Sequence, residues 1–107
     1  MSKTFADFPL HESLQQALQS LGFTSPTPVQ EQSIPAALEG KDLLVSSQTG
    51  SGKTAAFSLP ILQLIDLDEK SPQGLILCPT RELAVQVAEE IQRLASHFEN
   101  FYATPIY

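Results

Sequence analysis

Ser47-Gln48-Thr49-Gly50-Ser51-Gly52-Lys53-Thr54 is a run whose residue types and spacing suit one task, holding a chain of phosphates. Gly50 and Gly52 let the backbone turn tightly and aim several N–H groups at one point with no Cβ in the way. A helix expected to open at Lys53 adds unsatisfied N–H groups and the positive end of its dipole. Lys53 can then reach the β- and γ-phosphates as a point charge, and Thr54 can offer its hydroxyl to Mg²⁺. The strict pattern G-x-x-x-x-G-K-[ST] has glycine where this chain has Ser47. The flanks fit the pattern: Asp42-Leu43-Leu44-Val45-Ser46 reads as a buried strand, and Ala55-Ala56-Phe57-Ser58-Leu59 continues as helix. A plain Gly/Ser turn is the alternative, but it gives no reason for Gly-Lys-Thr in a strand–loop–helix setting.

The elements that must position this loop are legible on both sides. Leu10, Leu14, Ala17, Leu18 and Leu21 recur at helical spacing, and Gly22 follows as a C-cap. Thr27-Pro28-Val29-Gln30 is a helix start, with Thr27 as N-cap, Pro28 at the first position and Gln30 at the third. That helix is expected to be interrupted near Pro35 and to end by Gly40. After the phosphate loop a helix should run to about Ile65, irregular at Pro60. Asp66 to Pro72 reads as a solvated turn region. Gly74-Leu75-Ile76-Leu77-Cys78 is a second apolar strand stopped by Pro79. Leu83, Val87, Ile91 and Leu94 then mark one face of a helix from about Arg81 to His97. Strand, helix, strand, helix predicts a βαβ unit with a parallel sheet. Residues 101–107 read as the start of a third strand. The fold class expected is α/β.

Composition bounds the rest. The chain has 107 residues, enough for one small domain, and is 42% hydrophobic, enough for a core. No stretch is long and apolar enough to suggest a membrane span, and no signal-like amino end occurs. Cys78 is the single cysteine, read as a reduced core residue of a cytoplasmic protein rather than a nucleophile. His11 and His97 read as ordinary surface or helix-end residues. The net charge of −6, with six Lys and Arg residues scattered singly, excludes nucleic-acid binding through a broad basic face.

Gly22-Phe23-Thr24-Ser25-Pro26-Thr27-Pro28-Val29-Gln30 closely resembles the Q motif of DEAD-box RNA helicases, and Phe5 stands where that family carries an aromatic residue, seventeen positions before Gly22. Ser46 to Thr54 resembles motif I of the same family, Ser47 standing where alanine or glycine is usual. Pro79-Thr80-Arg81-Glu82-Leu83-Ala84 matches its motif Ia. The resemblance covers residues 5–84 in the family's order.

It implies that Gln30 contacts the adenine of ATP, that Phe5 stacks on the base, and that Thr27 lies near the phosphate loop. The chemistry is sound, since a glutamine accepts from adenine N6–H₂ while donating to N7, whereas guanine offers two acceptors there. Two simpler readings stay open. Thr27-x-x-Gln30 is also a capping box, and Phe8 could replace Phe5 as the relevant ring. In motif Ia the resemblance implies RNA sugar-phosphate contact at Pro79, Thr80 and Arg81. Plain helix initiation, with Thr80 as N-cap and Glu82 in the first turn, is compatible with that role.

No Asp-Glu-Ala-Asp string occurs. The carboxylates that the resemblance calls for to hold Mg²⁺ and orient water are therefore missing, as is a second RecA-like domain. The expectation is a truncated, partial RecA-like P-loop domain: 1–40 a Q-motif region, 41–107 the first part of the ATP-binding domain. Such a piece would bind ATP and Mg²⁺ without hydrolysing ATP, expose an apolar sheet face, and tend to poor solubility or oligomers. A stand-alone, non-catalytic nucleotide-binding or interaction module is the second hypothesis.

Overall fold

The structure, a computed structural model, describes residues 4–45, 53–69, 71–99 and 101–106. A 3₁₀ turn at Phe5–Asp7 opens it. Four helices follow: α1 (Glu12–Ser20), α2 (Pro28–Leu38), α3 (Lys53–Leu64) and α4 (Arg81–Leu94). Helix α3 is central and packs on each of the other three. Leu14 and Leu18 of α1, Ile34 of α2, Leu59 and Leu62 of α3 and Leu94 of α4 close the core, with Phe5 and Phe8 at one end.

Local signals explain the helix ends. Gly22 takes φ 82°, and the Phe23 N–H reaches back to Leu18 O at 2.8 Å, so α1 stops in a left-handed turn. Gly40, at φ 83°, ends α2 the same way, with the Lys41 N–H on Ala36 O at 3.2 Å. Helix α4 is shorter than expected, closing at Leu94 with Ala95 as its cap rather than reaching His97. In the polar loop after α3, Gln73 Nε2 donates to Asp66 O at 2.7 Å and Asp68 N donates to Asp66 Oδ1 at 3.0 Å.

Two expectations about proline are corrected. Helix α2 runs through Pro35 and α3 through Pro60, without interruption. Each proline denies a bond to the carbonyl four residues earlier, a loss of about 3 kcal/mol in an isolated helix. Burial outweighs it: Leu59 and Leu62 flank Pro60 at 0% and 1% exposure. Each such leucine contributes about 1.5–3 kcal/mol.

The parallel sheet is the larger correction. Among the described residues there is no strand. The segments 42–45, 74–78 and 101–106 are neither helical nor paired in a ladder. The buried strand expected at 42–46 is corrected as well, since Leu43, Leu44 and Val45 are 45%, 102% and 42% exposed. The segment 74–78 keeps an alternation: Ile76 and Cys78 are half-buried while Leu75 and Leu77 are 84% and 87% exposed. Phe101 and Ala103 likewise turn toward the helices and Tyr102 turns away. The physical reason is that alternation specifies a face and not a neighbour. Consecutive strands lie side by side only about two-thirds of the time, so a βαβ crossover can leave a gap between its two strands. Gln92 of α4 partly substitutes for a neighbour: its Nε2 donates to Phe101 O at 3.3 Å, and its Oε1 accepts from Ala103 N at 3.1 Å.

Candidate nucleotide-binding site

Ser47 to Gly52 lie outside the described residues, so the site is built from its two flanks. Downstream, Lys53 is the first residue of α3 and is exposed; Thr54, next along, is half-buried. Both sit in the first turn, where the helix's unsatisfied N–H groups and positive dipole end favour an anion.

Upstream, α2 packs closely on α3, which brings the Q-motif region against the helix that carries Lys53 and Thr54. The capping box is fully formed. Thr27 N donates to Gln30 Oε1 at 2.8 Å, and Gln30 N donates to Thr27 Oγ1 at 3.4 Å. Gln30 is 3% exposed. The capping alternative is therefore realised, with the carboxamide oxygen serving the Thr27 N–H. The cap fixes where the carboxamide sits.

Phe5 is held more firmly than a loop aromatic. Its N–H donates to Thr24 O at 3.2 Å, within the Q-motif turn. Its ring meets Phe8 edge-on at 5.8 Å between centroids and Phe23 at 5.6 Å. Both Phe5 and Phe8 are core residues, 3% and 4% exposed. The stacking role expected of Phe5 therefore finds its ring packed in the core and not presented at the surface.

At the second candidate site, Pro79, Thr80, Arg81 and Glu82 are all exposed at the start of α4. Thr80 Oγ1 accepts from Leu83 N at 3.1 Å, so helix initiation is realised here too. His11 and His97 are exposed, as expected; with Leu62, Ile65 and Phe98 they border a shallow concavity where α1, α3 and α4 meet. Cys78 is half-buried. Among the described residues no trio of His, Cys, Asp or Glu is placed to hold a metal, and no helix is long and apolar enough to cross a membrane.

Sequence reading missed Gln15. Its Nε2 donates to Phe5 O at 2.9 Å and to Phe8 O at 3.1 Å. Nothing in its spacing marks it, because a polar residue beside an apolar helical stripe is ordinary.

The arrangement of the other three helices around α3 is shared with solved DEAD-box proteins of RecA-like fold. A crystal structure of a DEAD box protein from the hyperthermophile Methanococcus jannaschii superposes with a TM-score of 0.83 at 36% identity, over 89% of this chain and 26% of that one. Saccharomyces cerevisiae Dbp5 bound to RNA and ADP BeF3 gives a TM-score of 0.87 at 34% identity, over 92% of this chain and 26% of that one.

The DEAD/DEAH box helicase family model matches residues 27–105. The chain belongs to that family. It is 52% identical to the ATP-dependent RNA helicase DbpA of Bacillus subtilis over 96% of its length. It is 50% identical to the ATP-dependent RNA helicase DeaD of Escherichia coli over 97%. It spans 21% and 16% of those two relatives respectively.

Proposed function

We propose that this chain is the ATP-binding amino-terminal part of an RNA helicase that couples ATP binding and hydrolysis to duplex unwinding. The observation that carries the reading is the Gln30 carboxamide. It is buried, locked by Thr27 at 2.8 Å, and borne on a helix packed against the phosphate-loop helix. Residues 1–40 recognise the adenine through Gln30 and Phe5, with Thr27 fixing the geometry. Residues 41–107 are the first part of the RecA-like domain, in which Ser47 to Gly52 cradle the phosphates and Lys53 neutralises them. Thr54 suits Mg²⁺ as a single hydroxyl ligand, because that ion keeps several waters and takes its other ligands from substrate phosphates. When bound, Mg²⁺ supplies charge neutralisation at the phosphates. Pro79, Thr80 and Arg81 bind RNA sugar-phosphate at the α4 N-terminus. The protein acts in the cytoplasm.

The chain contains no Asp-Glu-Ala-Asp string, so the carboxylates for metal binding and water activation belong elsewhere in the parent. Equilibrium titration with fluorescent ATP and GTP, followed by a phosphate-release assay, tests this. The expected result is ATP binding by residues 1–107 that is favoured over GTP and promoted by Mg²⁺, with no release of phosphate. ATP turnover by these residues alone would overturn the division of labour, and equal binding of ATP and GTP would overturn the role of Gln30.

A further inference from the structure

The geometry points to Gln15 as a positioning residue for the adenine end of the site, an inference that rests on the reading above of Phe5 as the stacking ring. Gln15 stands half-buried on α1, facing the 3₁₀ turn. Both its partners, Phe5 O at 2.9 Å and Phe8 O at 3.1 Å, are carbonyls. The amide must therefore present its nitrogen to them, and its two N–H groups match the two acceptors. One side chain thus clamps both ends of the turn to α1.

The same turn is tied on its other side. Thr4 N donates to Asp7 Oδ2 at 2.9 Å, and Phe5 N donates to Thr24 O at 3.2 Å. Helix α1 itself passes through Gly22 into Phe23 and Thr24, and so to the Thr27–Gln30 cap. The clamp closes a loop: α1 holds the main chain of Phe5 at one end and delivers the Q-motif turn at the other. Both its side-chain bonds are to main-chain carbonyls, so the clamp holds the Phe5 backbone at a fixed place relative to Gln30 without engaging the ring. Leucine or methionine at position 15 would fill the space and release the turn.

The test uses the full-length protein and measures affinity for ATP and for inorganic tripolyphosphate, with the melting temperature alongside. Gln15→Leu is expected to weaken ATP about fivefold, the loss of one to two modest hydrogen bonds, and to leave tripolyphosphate unchanged. Phe5→Ala should weaken ATP as well, and adding Gln15→Leu to it should cost nothing further, because the two residues act through one another. Gln15→Met, unbranched and of similar length, carries the same expectation should the leucine variant fail to fold. A lower melting temperature with unaltered ATP affinity in the Gln15 variants would make the clamp purely structural and overturn the proposal. Equal losses for ATP and tripolyphosphate, or additive losses in the double variant, would overturn it too. If Phe5→Ala weakens ATP while the Gln15 variants do not, only the Gln15 assignment fails. If Phe5→Ala leaves ATP affinity unchanged, the stacking reading fails and the clamp's role falls with it.

Discussion

Lys53→Ala is expected to weaken ATP binding by about 10- to 100-fold, the effect of removing a charge-assisted contact to phosphate, without lowering the melting temperature. The second half of that expectation makes the first informative. Lys53 is exposed at the first position of α3. A cation there opposes the helix dipole, and alanine is the better helix former, so on local grounds the substitution stabilises by a few tenths of a kcal/mol up to about 1. A phosphate at the same helix end would give the cation a favourable role there. Parallel calorimetry and nucleotide titration would check it. A clear fall in melting temperature with ATP affinity intact would make Lys53 a structural residue.

Gln30→Ala is expected to bring the ratio of ATP to GTP affinity close to one, from a starting preference of about tenfold or more. The ratio is the useful quantity because it separates the adenine contact proposed for Gln30 from its cap. Losing Oε1 strips the Thr27 N–H of its cap, a stability cost of about 1 kcal/mol, and that cost is shared by both nucleotides. It cancels in the ratio, while the bidentate pairing with adenine N6 and N7 does not. Thr27→Ala makes the complementary variant: it should reduce stability by a similar amount through the lost Oγ1 acceptor and change the ratio far less. A Gln30→Ala protein that still prefers ATP over GTP by the original factor would leave Gln30 as a cap alone.

Helix starts and glycine stops were readable from local chemistry. Thr27-Pro28-x-Gln30 and Thr80 announce the N-termini of α2 and α4, and Gly22 and Gly40 close the helices before them and the loop. These signals are short-range, and the side chain that makes the bond sits within three residues of its partner. Where tertiary packing decides, the sequence misled. Pro35 and Pro60 carry strong helix-breaking chemistry, yet α2 and α3 bury enough against each other to run through them. The apolar run at 74–78 announced a chain with alternate residues inward, but the run at 42–45 is exposed throughout rather than buried, and no local pattern names the strand beside either one. Within the proposed site, Gln30 and Lys53 are candidates that a motif names. Gln15 is not, since its meaning depends on two carbonyls that only the folded turn brings together.

The connections that Gln15, Gln63, Gln73 and Gln92 make to distant main chain are all neutral. Gln63 Oε1 accepts from His11 N at 2.6 Å, joining the end of α3 to the start of α1, and Gln92 holds residues 101–103 on α4. Amide ties of this kind are indifferent to ionic strength, whereas phosphate and RNA contacts weaken steeply as salt is raised. Grip on the ligands and integrity of the scaffold therefore answer to different variables. Concentrated salt should strip nucleotide and RNA from a protein whose helices remain in place, and slow deamidation, which turns a glutamine donor into a carboxylate acceptor, should do the reverse.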